Sequence, residues 1–416
     1  MPKIKVIGKN TLKGTINISG AKNSAVALIP ASILCDEIVK ISNVPNISDI
    51  DCLEDILISL NAKIDRDGDT VTIDSSNIIN SEIKEELSNK LRASYYFMGA
   101  LLGKFKKVDM YFPGGCAIGQ RPINLHLKGF EELGASVTEE GNHFIIEADE
   151  LKGSKIYLDI PSVGATINIM LAAVKAKGET YIENAAKEPE IVNIATLLNN
   201  MGAKIKGAGT NVITITGVDY LHSCFHEVIP DRIEAGTYLI IGALLGDKLK
   251  INNIIPSHLE AITSKLQEAG VEMTINDDNI IVSKSDNLKA IDVETLVFPG
   301  FPTDLQQPLI PFLTKCKGIS KVRETIYENR FQNIPDTVRM GANITIRNNE
   351  YAIIKGPTEL YGCEVKATDL RGGASMLICG LIADGETIID NIHYILRGYD
   401  NITKKLSDVG AKIELI

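Results

Sequence analysis

The sequence predicts an α/β protein of two domains, with six βαβαββ repeats spread over 416 residues and three repeats in each domain. Three observations predict it. The same helix-to-strand junction recurs six times. The spacing between junctions is nearly constant. The two chain ends carry complementary pieces of one incomplete repeat.

The junctions are Leu60-Asn61-Ala62-Lys63-Ile64, Leu133-Gly134-Ala135-Ser136-Val137, Met201-Gly202-Ala203-Lys204-Ile205, Ala269-Gly270-Val271-Glu272-Met273, Met340-Gly341-Ala342-Asn343-Ile344 and Val409-Gly410-Ala411-Lys412-Ile413. Their second positions are 73, 68, 68, 71 and 69 residues apart, a spacing that marks a structural repeat. Glycine suits that position because helices often end on a residue in the left-handed conformation. Asn61, the one exception, is the next-best residue for it.

Within a repeat, a strand leads into an Ala/Leu/Ile-rich helix such as Ile167 to Ala176. A second strand follows, such as Glu179 to Ile182, and then a second helix, such as Ile191 to Asn200. A hairpin closes the unit, such as Lys204-Ile205 with Val212 to Ile215. This is a parallel crossover followed by a hairpin. The sixth repeat stops at Ile416, after its hairpin's first strand, and the alternating segment Lys3-Ile4-Lys5-Val6-Ile7 supplies the expected partner. Leu12-Lys13-Gly14-Thr15-Ile16 resembles Leu151-Lys152-Gly153-Ser154-Lys155-Ile156, which opens another repeat. Six repeats exceed one compact core, so a three-plus-three division is expected. We place the first domain at residues 21–229 and the second at 1–20 plus 230–416, with a hinge and a cleft between them.

Composition narrows the function. Apolar residues make up 44%, ordinary for a globular core, and the net charge is −10. That charge opposes a nucleic-acid groove but leaves room for a local basic pocket that takes a small anion. No apolar run reaches the roughly 18 residues of a membrane span. The start Met1-Pro2-Lys3-Ile4-Lys5 lacks an apolar signal region, so a cytoplasmic location is expected. Seven scattered cysteines with no pair at metal spacing suggest free thiols in a reduced compartment and no metal site.

Helix starts attract anions through their free N–H groups and dipole, and several repeat openings carry a cation there. They are Ser19-Gly20-Ala21-Lys22-Asn23-Ser24, Lys90-Leu91-Arg92-Ala93-Ser94, Pro230-Asp231-Arg232 and Thr368-Asp369-Leu370-Arg371. Arginine is scarce in this chain, yet Arg92, Arg121, Arg232, Arg330, Arg371 and Arg397 all fall at repeat openings or before second helices. Its fork fits carboxylate and phosphate, although each arginine alone equally fits a surface ion pair. Lys22 suits a phosphate or simply a solvated turn, and Asn23 suits an N-cap or an amide donor. The segment Phe112 to Pro122 holds three glycines and two prolines around Cys116, the pattern of a hinged lid. The Cys116 thiol, mostly protonated at neutral pH, suits a general acid or a small apolar filler. In Phe301-Pro302-Thr303-Asp304, Thr303 or Asp304 suits an N-cap, and Asp304 also suits a general base. His126 and His143 show no partner pattern in the sequence.

Taken together these motifs resemble the enolpyruvyl transferase family along the whole chain. The marks are Gly20 to Ser24, Pro113 to Pro122, Ser162-Val163-Gly164-Ala165-Thr166, Glu188-Pro189-Glu190, Pro230-Asp231-Arg232, Phe301 to Asp304, Glu328-Asn329-Arg330-Phe331, Thr368 to Arg371 and Arg397-Gly398-Tyr399. The resemblance implies two inside-out α/β barrel domains, each with threefold pseudosymmetry. It implies transfer of the enolpyruvyl group of phosphoenolpyruvate to the 3′-hydroxyl of UDP-N-acetylglucosamine by addition and elimination, with phosphate released and no cofactor. That is the first committed step of peptidoglycan synthesis. By the same resemblance Cys116 protonates the phosphoenolpyruvate methylene or serves product release or an adduct, Asp304 takes the hydroxyl proton, and Lys22, Arg92, Arg121, Arg371 and Arg397 hold phosphate and carboxylate. Arg121, Pro122, Ile123, Asn124 and Leu125, with Ser162, Val163 and Gly164, line the nucleotide. Asn23 and Arg330 serve the tetrahedral centre and loop closure, and Ile326 and Asp369 complete the binding set. The sequence departs from the family pattern at Ile160 and Asn124, where some relatives carry a cation and an acid. The sister branch acting on shikimate 3-phosphate lacks the Pro-Gly-Gly-Cys loop. A scaffold of repeats without catalysis gives no reason for Lys22, Cys116, Asp304 and the arginines to occur together.

Overall fold

The six junctions close their helices as the sequence predicts. Gly134, Gly202, Gly270, Gly341 and Gly410 adopt φ between +96° and +116°, and Asn61 sits at φ 68°. At the third junction Gly202 N donates to Asn199 O and Ala203 N to Leu198 O, both at 2.9 Å. This pair of bonds satisfies the last carbonyls of the helix and turns the chain into the next strand. The structure is a computed structural model. It describes every residue except Met1, Gly115, Cys116, Ala117, Gln120 and Arg121.

The chain divides into two compact units. One holds Gly20–Cys116 and Arg121–Ile229; the other holds Met1–Ser19 and Pro230–Ile416, together with Ile118 and Gly119. Each has its own apolar core.

In the first unit three helices, Lys22–Ala31, Tyr96–Phe105 and Val163–Ala173, occupy the interior. They are apolar on all sides because they are covered on all sides. Two glycines let two of them touch backbone to backbone. A Cβ on Gly99 would fall 2.3 Å from Asn168 O, and one on Gly103 would fall 2.7 Å from Leu171 O. Sheets lie outside these helices. Strand Glu179–Glu183 shows the arrangement: Thr180 and Ile182 are buried while Glu179 and Tyr181 face out. Helices within and sheets without give the inside-out α/β fold. The second unit repeats the plan with Arg232–Leu245, Thr303–Leu313 and Leu370–Ile382.

Each sheet combines a parallel pair with a hairpin. Lys155–Tyr157 pairs parallel with Glu179–Glu183, which pairs antiparallel with Val212–Thr216 and through it with Lys204–Lys206. In one sheet the parallel edge strand shrinks to a single bridge, Ile83 to Met110. The alternating N-terminal segment forms strand Ile4–Ile7 and completes the last hairpin, with Ile4 opposite Leu415 on one side and Ile389 on the other.

One feature departs from the simple repeat. A strand, or for Tyr96–Phe105 only the bridge at Ile83, leads into each inner helix along the chain, but at the two passages between units that strand stays with the sheet behind it. Thr15–Asn17 pairs with Leu249–Asn252, although the helix that follows it is Lys22–Ala31. Cys224–Glu227 pairs with Ile38–Ser42, although the helix that follows it is Arg232–Leu245. Parallel pairing needs a distant partner, so nothing local in the sequence announces it.

Candidate functional site

In the unit containing Pro230–Ile416 the three inner helices begin close together. Their first turns carry acidic residues: Asp231, Asp304 and Asp369. Asp231 and Asp369 are N-caps. Asp231 Oδ1 accepts from Ile233 N at 2.8 Å and Glu234 N at 3.0 Å, and Asp369 Oδ1 accepts from Arg371 N at 2.9 Å and Gly372 N at 3.1 Å. Each satisfies two N–H groups that the helix leaves open.

Asp304 is not a cap, and neither is Thr303, which corrects that alternative. The N-cap is Pro302, with no side-chain bond, because both candidate side chains are engaged elsewhere. Thr303 Oγ1 donates to Glu324 Oε2 at 2.9 Å. Asp304 Oδ1 lies 2.6 Å from Arg330 Nη2, and Asp304 Oδ2 lies 3.0 Å from Arg371 Nη2. The two arginine side chains are 2% and 3% exposed and the Asp304 side chain 26%. Burial alone would raise the Asp304 pKa, but the charges of Arg371 and Arg330 outweigh it and hold the carboxyl well below the usual range. Arg371 also sits over the Tyr399 ring, 5.3 Å from its centroid. Arg371 Nε and Nη1 and Arg330 Nε find no hydrogen-bond partner among the described residues. Buried guanidinium donors left open are costly, and an anion would satisfy them.

The sequence does not reveal the residues that fix this cluster. Glu324 Oε1 accepts from Thr295 Oγ1 and Ile326 N, both at 2.9 Å, while its Oε2 accepts from Thr303, and so Glu324 ties Ile326 to the start of the Asp304 helix. Gln307 Nε2 donates to Asp369 Oδ2 at 3.1 Å and joins two inner helices. Glu324 lies in an unmarked stretch, and Gln307, although it falls within the singled-out segment Phe301 to Gln307, carries no sign in the sequence of its bond to Asp369. Arg397 is half-buried at the end of helix His393–Leu396, two residues before Tyr399.

The other unit gathers a second set. Ser162 caps helix Val163–Ala173, its Oγ accepting from Ala165 N at 3.3 Å. Gly164 follows at a point where no larger residue fits, because a Cβ there would lie 2.8 Å from His126 Cε1 and 2.9 Å from Tyr95 Oη. His126 belongs to helix Asn124–Glu132, which starts just after Pro122 and Ile123. Arg92 lies over the Tyr95 ring at 5.6 Å and donates from Nη1 to Pro113 O at 3.3 Å. Arg92, the segment 122–125 and residues 162–164 thus come together around Tyr95 and His126. Ile123 is buried, Leu125 is half-buried, and Pro122 and Asn124 are exposed. Ile160, two residues before Ser162, is 63% exposed. Lys22 begins its helix and pairs with Asp49 at 2.6 Å; neither side chain is more than 11% exposed. Asn23 is in the first turn and not the N-cap, which is Ala21. Cys116 and Arg121 lie outside the described residues, as does part of the expected lid.

Among the described residues no cluster of His, Cys, Asp or Glu is arranged to hold a metal ion, and no helix is long and apolar enough to cross a membrane. None of the six described cysteines forms a disulfide.

Inner helices covered by outer sheets define a fold class, and solved structures share that fold. The enolpyruvyl transferase NikO from Streptomyces tendae superposes with TM-score 0.90 at 24% identity, covering 100% of this chain and 99% of that one. EPSP synthase from Acinetobacter baumannii superposes with TM-score 0.77 at 18% identity, covering 100% of both. The family model described as EPSP synthase (3-phosphoshikimate 1-carboxyvinyltransferase) matches residues 6–406, and the chain belongs to this family of enolpyruvyl transferases. The chain is also 53% identical over 413 residues to UDP-N-acetylglucosamine 1-carboxyvinyltransferase 2 of Geobacillus kaustophilus (strain HTA426), covering 99% of this chain and 96% of that protein. It is 53% identical over 414 residues, with the same coverage, to the protein of that name from Bacillus subtilis (strain 168).

Proposed function

We propose that this protein transfers the enolpyruvyl group of phosphoenolpyruvate to the 3′-hydroxyl of UDP-N-acetylglucosamine and releases phosphate. The observation that carries the reading is the identity of about 53% along nearly the whole chain to enzymes named for that acceptor. The shikimate enzyme shares the fold at 18% identity. The reaction is a step of peptidoglycan synthesis. The setting we propose is the cytoplasm of a dividing cell that builds a wall.

The chemistry adds a proton to C3 of phosphoenolpyruvate, which leaves C2 with oxocarbenium character. The sugar hydroxyl adds at C2 as its proton passes to a base. A proton then leaves C3 and phosphate leaves C2, restoring the double bond. We assign the first proton to Cys116 and the base to Asp304. With these two arginines as its close partners Asp304 is a poor base, because they stabilise its charge. An anion that binds the open donors of Arg371 and Arg330 draws that charge away, and the Asp304 pKa rises toward the working range. The base thus strengthens only once substrate is bound. Lys22, Arg92, Arg121 and Arg397 supply further positive charge to the phosphate and carboxylate. Residues 121–125 and 162–164 hold the nucleotide, Asn23 the tetrahedral centre, and Ile326 and Asp369 the walls of the base cluster. Cys116 is also the proposed target of the epoxide fosfomycin.

The test is phosphate release from phosphoenolpyruvate with each acceptor in turn. The reading expects release with UDP-N-acetylglucosamine and none above background with shikimate 3-phosphate. The reverse pattern overturns it.

A further inference from the structure

A buried histidine that the sequence leaves without a role has a proton whose position the structure fixes. His126 is 5% exposed. Its Nδ1 lies 2.9 Å from Asn168 Nδ2, and Asn168 Oδ1 lies 2.8 Å from Gly99 N. Gly99 N–H can only donate, so the amide oxygen faces it and the amide NH2 faces the imidazole. An NH2 group has no lone pair to accept with. Nδ1 therefore accepts, and the ring proton must sit on Nε2. Burial, and then the charge of Arg92, push the ring pKa down to about 3, so it stays neutral at physiological pH.

That Nε2–H has no hydrogen-bond acceptor among the described residues, and the ring edge that bears it abuts Gly164. A Cβ on Gly164 would stand 3.1 Å from Nε2. Gly164 is in the first turn of the eleven-residue helix Val163–Ala173, whose opening N–H groups favour an anion. The Ser162 cap takes up the N–H of Ala165. A neutral donor on a buried ring, held at a fixed angle beside a helix start, suits an acceptor that carries charge.

We propose that the Nε2–H of His126 hydrogen-bonds a diphosphate oxygen of the nucleotide sugar at the start of helix Val163–Ala173. This rests on the proposed acceptor and adds a binding residue that is not among those the resemblance implies. Asn168 is the positioning residue, because through Gly99 it sets the tautomer.

Two measurements test it. Titrating 15N-labelled wild-type protein with UDP should show His126 protonated at Nε2 before addition and a shift of that resonance on binding. Uridine alone should leave it unmoved. His126→Asn keeps an acceptor for Asn168 but loses the outer donor, whereas His126→Gln returns an N–H near the place of Nε2. We expect His126→Asn to weaken UDP binding and raise KM for UDP-N-acetylglucosamine about tenfold, the scale of one hydrogen bond to a charged group. KM for phosphoenolpyruvate should move less, and His126→Gln should recover most of the loss. A proton found on Nδ1, or a His126→Asn protein that binds UDP as tightly as wild type, overturns the inference while leaving the acceptor intact. If His126→Asn fails to fold, the wild-type titration decides alone. A wild-type protein that binds no UDP overturns the acceptor assignment and this inference together.

Discussion

Removing the Asp304 carboxylate should cost both stability and turnover, and the two losses have different sizes and causes. In Asp304→Ala two guanidiniums that are nearly inaccessible to water lose the one charge that both touch. Breaking a buried ion pair costs about 3–5 kcal/mol, mostly because the remaining charge is left uncompensated. Asp304 is 26% exposed, so water enters the vacated space and softens the penalty to about 2–3 kcal/mol. Asp304→Asn keeps an acceptor for one arginine and should cost less. Urea unfolding at neutral pH measures the difference. The native pKa of Asp304 lies below its unfolded value, so its contribution is full above the unfolded value of about 3.9. It fades only as pH falls through the native value. The gap between wild type and Asp304→Ala should therefore hold from pH 8 to about pH 4 and close only in stronger acid. Turnover should fall by about 10² to 10⁴, the usual contribution of a positioned base. A variant of wild-type stability at pH 7, or one that keeps full turnover, would refute the reasoning.

Other predictions follow from named contacts. Glu234, 2% exposed, accepts from Ser19 N at 2.9 Å and from Lys405 Nζ at 2.6 Å. Burial, opposed by Lys405, pushes its pKa up to about 7. The stability it contributes is full below its unfolded pKa of about 4.3 and is lost as pH rises through 7, so wild type should lose about 3 kcal/mol relative to Glu234→Gln between pH 4 and pH 8. Parallel unfolding curves at the two ends of that range, with an unchanged gap, would contradict it. At Gly341, φ is +116° and a Cβ would fall 2.7 Å from Glu359 O, whereas at Gly270 the nearest atom, Asn287 O, is 3.3 Å away. Gly341→Ala should therefore cost about 1 kcal/mol more than the roughly 1–2 kcal/mol that Gly270→Ala costs for its backbone alone; equal losses in urea titration count against this. Fosfomycin should modify Cys116, located by peptide mass spectrometry, and leave Cys224 and Cys363 unmodified; labelling chiefly at either of those opposes the assignment.

The repeat was legible because its signal is local. A residue that ends a helix in the left-handed conformation is most readily glycine or asparagine, and that preference recurs at all six junctions. The alternation of Lys3 to Ile7 likewise fixed a strand and its sheet. The parallel partners of Thr15–Asn17 and Cys224–Glu227 were not legible, because they lie more than 180 residues away along the chain. The same division runs through the site. Cations at helix starts stand out against a lysine-rich background, and Arg330, Arg371 and Asp304 do meet. Glu324, Gln307 and Asn168 matter through bonds to residues far away in sequence. His126 had no neighbour in the chain to mark it, and its role emerges only when Asn168 and Gly99 are placed beside it.

The transfer proposed for this protein runs by addition to the enolpyruvyl group followed by elimination. Turnover of phosphoenolpyruvate and UDP-N-acetylglucosamine in D2O, followed by proton and carbon NMR of the product, tests it most directly. In that reaction a methyl group forms transiently at C3 and then gives up one of its hydrogens, so the product should be an enolpyruvyl ether on the 3′ oxygen with deuterium in its methylene. The same ether with a fully protiated methylene, or no ether at all, would contradict it.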